Sequence, residues 1–312
     1  MRARGFFFGI GAVAVLIAGY AATVAVANNY YFYAGYIVLQ YVVLATAWNI
    51  LGGYAGYVNF GSAGFFAVGA YTAAILSLAL DAPLPVMILG GGIAAGVIGL
   101  AAGYLALRIK DVYFAIATLA LAVVLETVVN NWDYVGGTRG IYVLHPRHAI
   151  GFSNYPRLLF FAMLVLAVGS VVVARTVEHS RFGRGLAAIR DDEQAAESAG
   201  VPTLRLKLTA ATLSGMLMGV AGAPFPYFVS HLEPGSAFSL AVAVNAIAMP
   251  LIGGTTSWAG PVIGALLLGG AQQIATVTIS SVLNLLIVGL LLIGFVIFAP
   301  EGIVGLARRL LR

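Results

Sequence analysis

One acid, Glu126, lies inside a long apolar run. An ionisable group in hydrocarbon is kept only for a purpose, such as proton or ion coupling. Glu126 shares a helical face with Asn130, and Asp133 follows a further turn along. That pattern fits a helix end reaching the aqueous interface better than a proton relay. The four histidines, at 145, 148, 179 and 231, have no metal-ligand spacing. His145 and His148 sit in "VLHPRHAI", where Pro146 makes a loop, and they read as a solvated or interfacial pair. The absence of cysteine excludes disulfides, thiolate metal sites and cysteine nucleophiles. There is no G-x-x-x-x-G-K-[ST] phosphate loop, and "GFSNY" at 151–155 is not a G-x-S-x-G nucleophile elbow. No catalytic residue, metal or cofactor is expected.

The elements that would position any chemistry are membrane spans. Only 9% of residues are charged, against about 25% in soluble domains. Residues 5–80 and 234–300 contain no Asp, Glu, Lys or Arg. A helix needs about 20 apolar residues to cross ~30 Å of hydrocarbon. The period-two alternation of a membrane barrel is missing. The chain therefore predicts an all-α polytopic bundle of about 8–10 spans, forming one transmembrane domain over residues 1–312. The ten apolar stretches are 6–27, 36–53, 60–80, 85–107, 112–131, 158–174, 207–229, 238–253, 259–279 and 282–299. The first is longer than a signal-peptide core and is expected to be a retained span. Ten spans place both termini on one side. That side receives 13 of the 16 Lys and Arg, and Arg139, Arg147 and Arg157 fall opposite. The positive-inside rule makes the first side cytoplasmic, in a cell (inner) membrane. The net charge of +5 is thus a property of loops and not a nucleic-acid signal.

Two stretches are interrupted. "GYAGYVNFGSAGFFAVGAY" (53–71) is rich in glycine, and 238–253 is short and carries Pro250. Broken backbone in a membrane is tolerated beside protein or a water-filled cavity, which suits a substrate path. Close helix packing through small residues explains the same glycines, and both readings stay open.

Eleven of the chain's 27 charges crowd between Arg175 and Lys207. Within this island "GLAAIRDDEQAAESAG" is built of helix formers, and Gly200 followed by Pro202 is a stop signal. Asp192, Ala195, Ala196 and Ala199 fall on one face of small side chains, with acids and arginines at its rims. Such a helix suits a groove in another protein. A solvated linker between two spans remains the alternative from composition alone.

The island resembles the cytoplasmic coupling loop of ABC-importer permeases, whose pattern is Glu-Ala-Ala, three residues, then Gly. Here Gln194 interrupts Glu193 and Ala195-Ala196, and Gly200 follows. The wider wording, "SRFGRGLAAIRDDEQAAESAGV" with "LRLKLTAATLSGMLMGVAGA", is similar to the second permease type of branched-chain amino acid importers. Four further blocks, at 53–76, 113–141, 250–267 and 298–309, resemble the same family in the same order. The resemblance implies a second homologous permease, two cytoplasmic ATPase subunits and an extracytoplasmic binding protein as partners, besides the lipid bilayer. It implies that residues 176–206 form the coupling loop. Asp191, Asp192, Glu193, Ala195, Ala196 and Gly200 would then contact an ATPase, bordered by Arg181, Arg184 and Arg190.

Departures from the family fall on polar positions. Its Gln, small hydroxyl and His along the glycine-rich segment are replaced by Tyr57, Asn59 and Ser62, and two of its Glu by Val123 and Asn245. The expected substrate path contains Tyr57, Asn59, Ser62, Gly136, Gly137, Thr138 and Asn245. Branched-chain or other hydrophobic amino acids are the expected cargo. Urea or a short amide, and an autonomous channel for a small neutral solute, are the rivals.

Overall fold

The computed structural model describes residues 2–107, 109, 111–144, 152–278, 289–290, 294 and 302–310. Five long helices come first: α1 (Arg2–Ala25), α2 (Tyr30–Leu51), α3 (Ser62–Leu80), α4 (Leu84–Ala106) and α5 (Asp111–Asn130). Two 3-10 turns, Asp133–Val135 and Gly137–Arg139, lead to β1 (Ile141–Tyr142). Next are α6 (Tyr155–His179), the short pair α7 (Arg181–Asp191) and α8 (Glu193–Ser198), and α9 (Thr203–Gly222). After α9 come α10 (Phe225–Val229), β2 (His231–Leu232), α11 (Pro234–Ala237) and α12 (Leu240–Gly253). A last rod comprises α13 (Ala259–Gly264), a π-turn (Ala265–Gly269) and α14 (Gly270–Thr278), and α15 (Gly302–Leu310) is the final element. Among the described residues, eight helical stretches are long and apolar enough to cross a membrane.

Nine of the ten expected spans coincide with helices, and 282–299 lies largely outside the described residues. His145 and His148 lie outside them as well. Three boundaries differ in ways that matter. Helix α6 runs on to His179, so Arg175 and Glu178 are in a span's last turns. Helix α9 begins at Thr203, four residues before the expected span, so Lys207 lies a full turn inside it. The single helix expected before Gly200 is two, because Asp192 adopts φ −160° and ψ 110°. The only strands among the described residues, β1 and β2, pair antiparallel at Ile141–Leu232 and Tyr142–His231. They tie the loop after α5 to the loop after α10.

The centre of the bundle is an antiparallel contact between α4 and α9. Gly91, Ala95, Gly99 and Gly103 form one stripe on α4, and Ala211, Gly215, Gly219 and Ala223 line the facing helix and its end. Each four-residue step along one helix meets a four-residue step along the other. A Cβ on Gly103 would be 3.2 Å from that of Ala211, one on Gly215 would be 3.4 Å from Gly99 Cα, and one on Gly91 would be 3.1 Å from Ala223 Cβ. At Gly219 a Cβ would collide with Ala95 and crowd the Gly91 carbonyl. In lipid no hydrophobic force drives helices together, so close backbone packing through small residues takes its place. For the glycines of α4 and α9 the packing explanation therefore applies.

Gly219→Val is expected to overpack this contact by about 1–3 kcal/mol or more and to abolish a monodisperse peak in detergent size-exclusion chromatography. Gly169→Val, at a position with open space around the backbone, is expected to leave the peak unchanged.

Candidate functional site

The charged island is built as a corner. Ser180 caps α7 by accepting a hydrogen bond from the Gly183 backbone N–H at 3.1 Å. Leu186 and Ile189 bury the inner face of α7 against Val177, Leu107 and Ala210 and their neighbours. The chain then breaks at Asp192, whose carboxylate accepts from the Ala195 N–H at 3.0 Å and caps α8. Gly200, at φ +83°, ends α8 in the left-handed region that favours glycine. Pro202 begins the return into α9.

The island's charges divide into outward and inward sets. Arg181, Arg184, Arg190, Asp191 and Asp192 are exposed, as are Ala195 and Gly200. Ala196 is buried, so only part of the small-residue face is open. The Arg190–Asp191 pair at 3.3 Å is exposed and contributes little to stability.

Glu193 turns inward. Its carboxylate meets Lys207 Nζ at 2.6 Å and accepts from the Tyr57 hydroxyl at 2.5 Å. Lys207 Nζ also donates to Tyr57 Oη at 3.0 Å and to the Leu107 carbonyl at 3.1 Å. The side chains of Lys207 and Glu193 are only 5% and 14% exposed. Removing one partner from a buried pair of this kind typically costs about 3–5 kcal/mol, because the other charge is left uncompensated. Leu107 is the C-cap of α4, where orphan carbonyls and the negative end of the helix dipole favour a cation. The ammonium thus closes the end of α4 while holding α8.

Glu178 and Arg175, also from the island, are used internally. Glu178 accepts from the Trp258 N–H at 2.6 Å and from the Tyr54 hydroxyl at 3.5 Å. Burial, and next the Glu178 charge, push the Tyr54 phenol above its ordinary pKa, so it stays a proton donor. Arg175 stacks its guanidinium 3.9 Å from the Phe8 ring centroid, which pins α1 to this end of the bundle.

The expected path residues fall into three places. Tyr57, Asn59 and Ser62 lie where the chain re-enters between α2 and α3. There the Asn59 carbonyl accepts from the Trp48 indole at 2.8 Å and its side chain caps Gly61 N–H at 2.7 Å. Ser62 is fully buried in the first turn of α3. Gly136 and Gly137 shape the 3-10 turns after α5, and Thr138 is exposed there. Asn245 is held inside the bundle by Tyr41 at 3.3 Å and Gln272 at 2.8 Å. Beside Tyr57 and Glu193 lies a cavity of about 720 Å³, also lined by Gly56, Val58, Phe60, Val112, Ala115 and residues 189–192.

Lys207, taken from sequence as the first residue of its span and one of the cytoplasmic charges, has a buried pairing that sequence reasoning missed. Its signal was its register: it stands four residues before Ala211 and so on the packed stripe of α9, where a lysine needs an acid.

Eight membrane-length apolar helices, a chain that folds back between α2 and α3, and one charged helical corner define a polytopic helical bundle. The chain belongs to the family described as branched-chain amino acid transport system, permease component, which it matches over residues 30–296. It is 28% identical over 301 residues to the high-affinity branched-chain amino acid transport system permease protein LivM of Escherichia coli (strain K12), covering 87% of this chain and 69% of that one. It is 26% identical to the probable branched-chain amino acid transport permease protein LivH of Methanocaldococcus jannaschii, over 79% of this chain and 82% of that one. A shorter likeness, 28% over 60% of this chain and 55% of the relative, joins it to the L-arabinose ABC transporter permease protein AraH of Azospirillum brasilense. No solved structure matches the chain.

Gly200→Val would force a β-branched residue into the left-handed region, a cost of roughly 1–2 kcal/mol, and Asp192→Ala would remove a cap worth about 1 kcal/mol. Each variant is expected to speed amide hydrogen exchange across residues 193–198 while exchange in α4 stays slow.

Proposed function

We propose that this chain is a permease subunit of an ABC importer for branched-chain or other hydrophobic amino acids in the cell (inner) membrane. It pairs with a second homologous permease, one of two cytoplasmic ATPase subunits binds at its α7–α8 corner, and an extracytoplasmic binding protein delivers the substrate. Both termini and the corner face the cytoplasm on this reading. The Phe8 contact with Arg175 and the close approach of Gly302 to Gly254 support it, because they place described residues near both chain ends at the corner's end of the bundle. The observation that carries the proposal is the family match over residues 30–296, combined with an exposed charged helical pair that belongs to no span. The outward set, Arg181, Arg184, Arg190, Asp191, Asp192, Ala195 and Gly200, is the ATPase contact. A cleft of about 620 Å³ between Arg181, Arg184, Gly200 and Pro202 supplies a concave surface there. Glu193 and Ala196 serve the same contact from within, by holding α8 in place.

Reconstituted with its partner subunits, the chain is expected to move radiolabelled L-leucine only when ATP is present, with excess urea or acetamide failing to compete. Reconstituted alone it is expected to move nothing. ATP-independent flux by the isolated chain would overturn the reading.

A further inference from the structure

The ion pair of Glu193 and Lys207 does more than hold α8. Tyr57, its third member, opens a short extended stretch that runs back between helices and leads into α3. That stretch and the turn before it are anchored at several points. Arg190 of α7 donates to the Gly53 carbonyl at 3.4 Å, and Gly56 at φ +79° lies against the same arginine. The Asn59 carbonyl accepts a hydrogen bond from the Trp48 indole N–H of α2, and the Phe60 N–H donates to Thr118 Oγ1 of α5 at 3.1 Å. The path from the corner to two membrane-spanning helices is therefore continuous: Glu193 to Tyr57, Tyr57 to Phe60, Phe60 to α5, with Asn59 branching to α2. The same residues wall the 720 Å³ cavity, so a shift of α8 must change its shape.

We infer that the Glu193–Lys207–Tyr57 cluster is the joint through which displacement of α7–α8 moves the Gly56–Phe60 segment and reshapes the cavity beside it. This rests on the proposed ATPase contact, which supplies the displacement. Lys207 is the fixed pivot, because the α4 terminus and the packed stripe of α9 hold it. Glu193 and Tyr57 are positioning residues that ride on it from two different segments. A joint made of one ammonium shared by three acceptors can exchange partners while the charge keeps at least one of them.

The lack of cysteine in the chain permits single reporters. A spin label at Gln194→Cys reads α8, and one at Val58→Cys reads the extended segment; both positions are exposed. In the assembled transporter, trapping nucleotide in the ATPases is expected to shift both spectra. In the double variant Glu193→Gln/Lys207→Met, which removes both charges at similar volume, the Gln194→Cys label is expected to shift while the Val58→Cys label no longer does. ATP hydrolysed per L-leucine moved is expected to rise about tenfold, within the ordinary range of coupling between sites. Tyr57→Phe, which deletes one hydroxyl, is expected to move both readouts in the same direction by less. If the Val58→Cys label shifts as fully in the double variant as in the parent, the joint is refuted and the ATPase contact stands. If the Gln194→Cys label fails to shift in the parent transporter, the ATPase contact is refuted and the joint falls with it.

Discussion

The close antiparallel approach of α4 and α9 is the constraint from which the rest of the architecture follows. Gly91, Ala95, Gly99 and Gly103 face Ala223, Gly219, Gly215 and Ala211, and no larger side chain fits between the backbones. The next step in the same register brings Lys207 to the Leu107 carbonyl. The zipper therefore ends on a charge. An ammonium set among Leu107, Ala210 and Ala211 is costly unless it is paired, and the pairing acid comes from α8. Helix packing in the membrane and the placement of the charged corner are thus one arrangement.

From that arrangement comes a division of labour among the island's charges. Those turned inward, Arg175, Glu178, Glu193 and Lys207, fasten α1, the Trp258 turn, α8 and the re-entrant segment to one end of the bundle. Those turned outward, of which Arg190 also bonds the Gly53 carbonyl and Asp192 also caps α8, present both signs on a short, well-capped pair of helices. On the proposed function, energy reaches this chain from separate ATPase subunits. An outward surface mounted on an internally fastened corner is a physical means of receiving it.

Much of this was legible in the sequence. Apolar length gave the helices, because about 20 apolar residues in a row have few other stable fates. Gly200 and Pro202 marked the end of the corner, and the charged island stood out against its surroundings. The direction in which each charge points was not legible, since it depends on which helix lies beside it. Glu193 and Asp192 are adjacent, yet one caps a helix outside and the other is buried against Lys207. The break at Asp192 was hidden for a related reason: an aspartate within a run of helix formers signals a cap only when its carboxylate turns back to a backbone N–H. Tyr57, Asn59 and Ser62 were singled out as path residues by their place in a glycine-rich stretch. Tyr57 and Asn59 occupy the extended segment and Ser62 the first turn of α3, but hydrogen bonds with Trp48, Gly61, Glu193 and Lys207 engage the first two in ways that spacing alone did not convey.

The central claim is that the α7–α8 corner is where the ATPases take hold. Amide hydrogen exchange of the reconstituted permease, measured with and without the ATPase subunits, tests it most directly. The account predicts new protection concentrated in residues 181–200, with the α4–α9 contact equally slow in both samples. Protection that appears elsewhere on the chain while residues 181–200 exchange at an unaltered rate would contradict it.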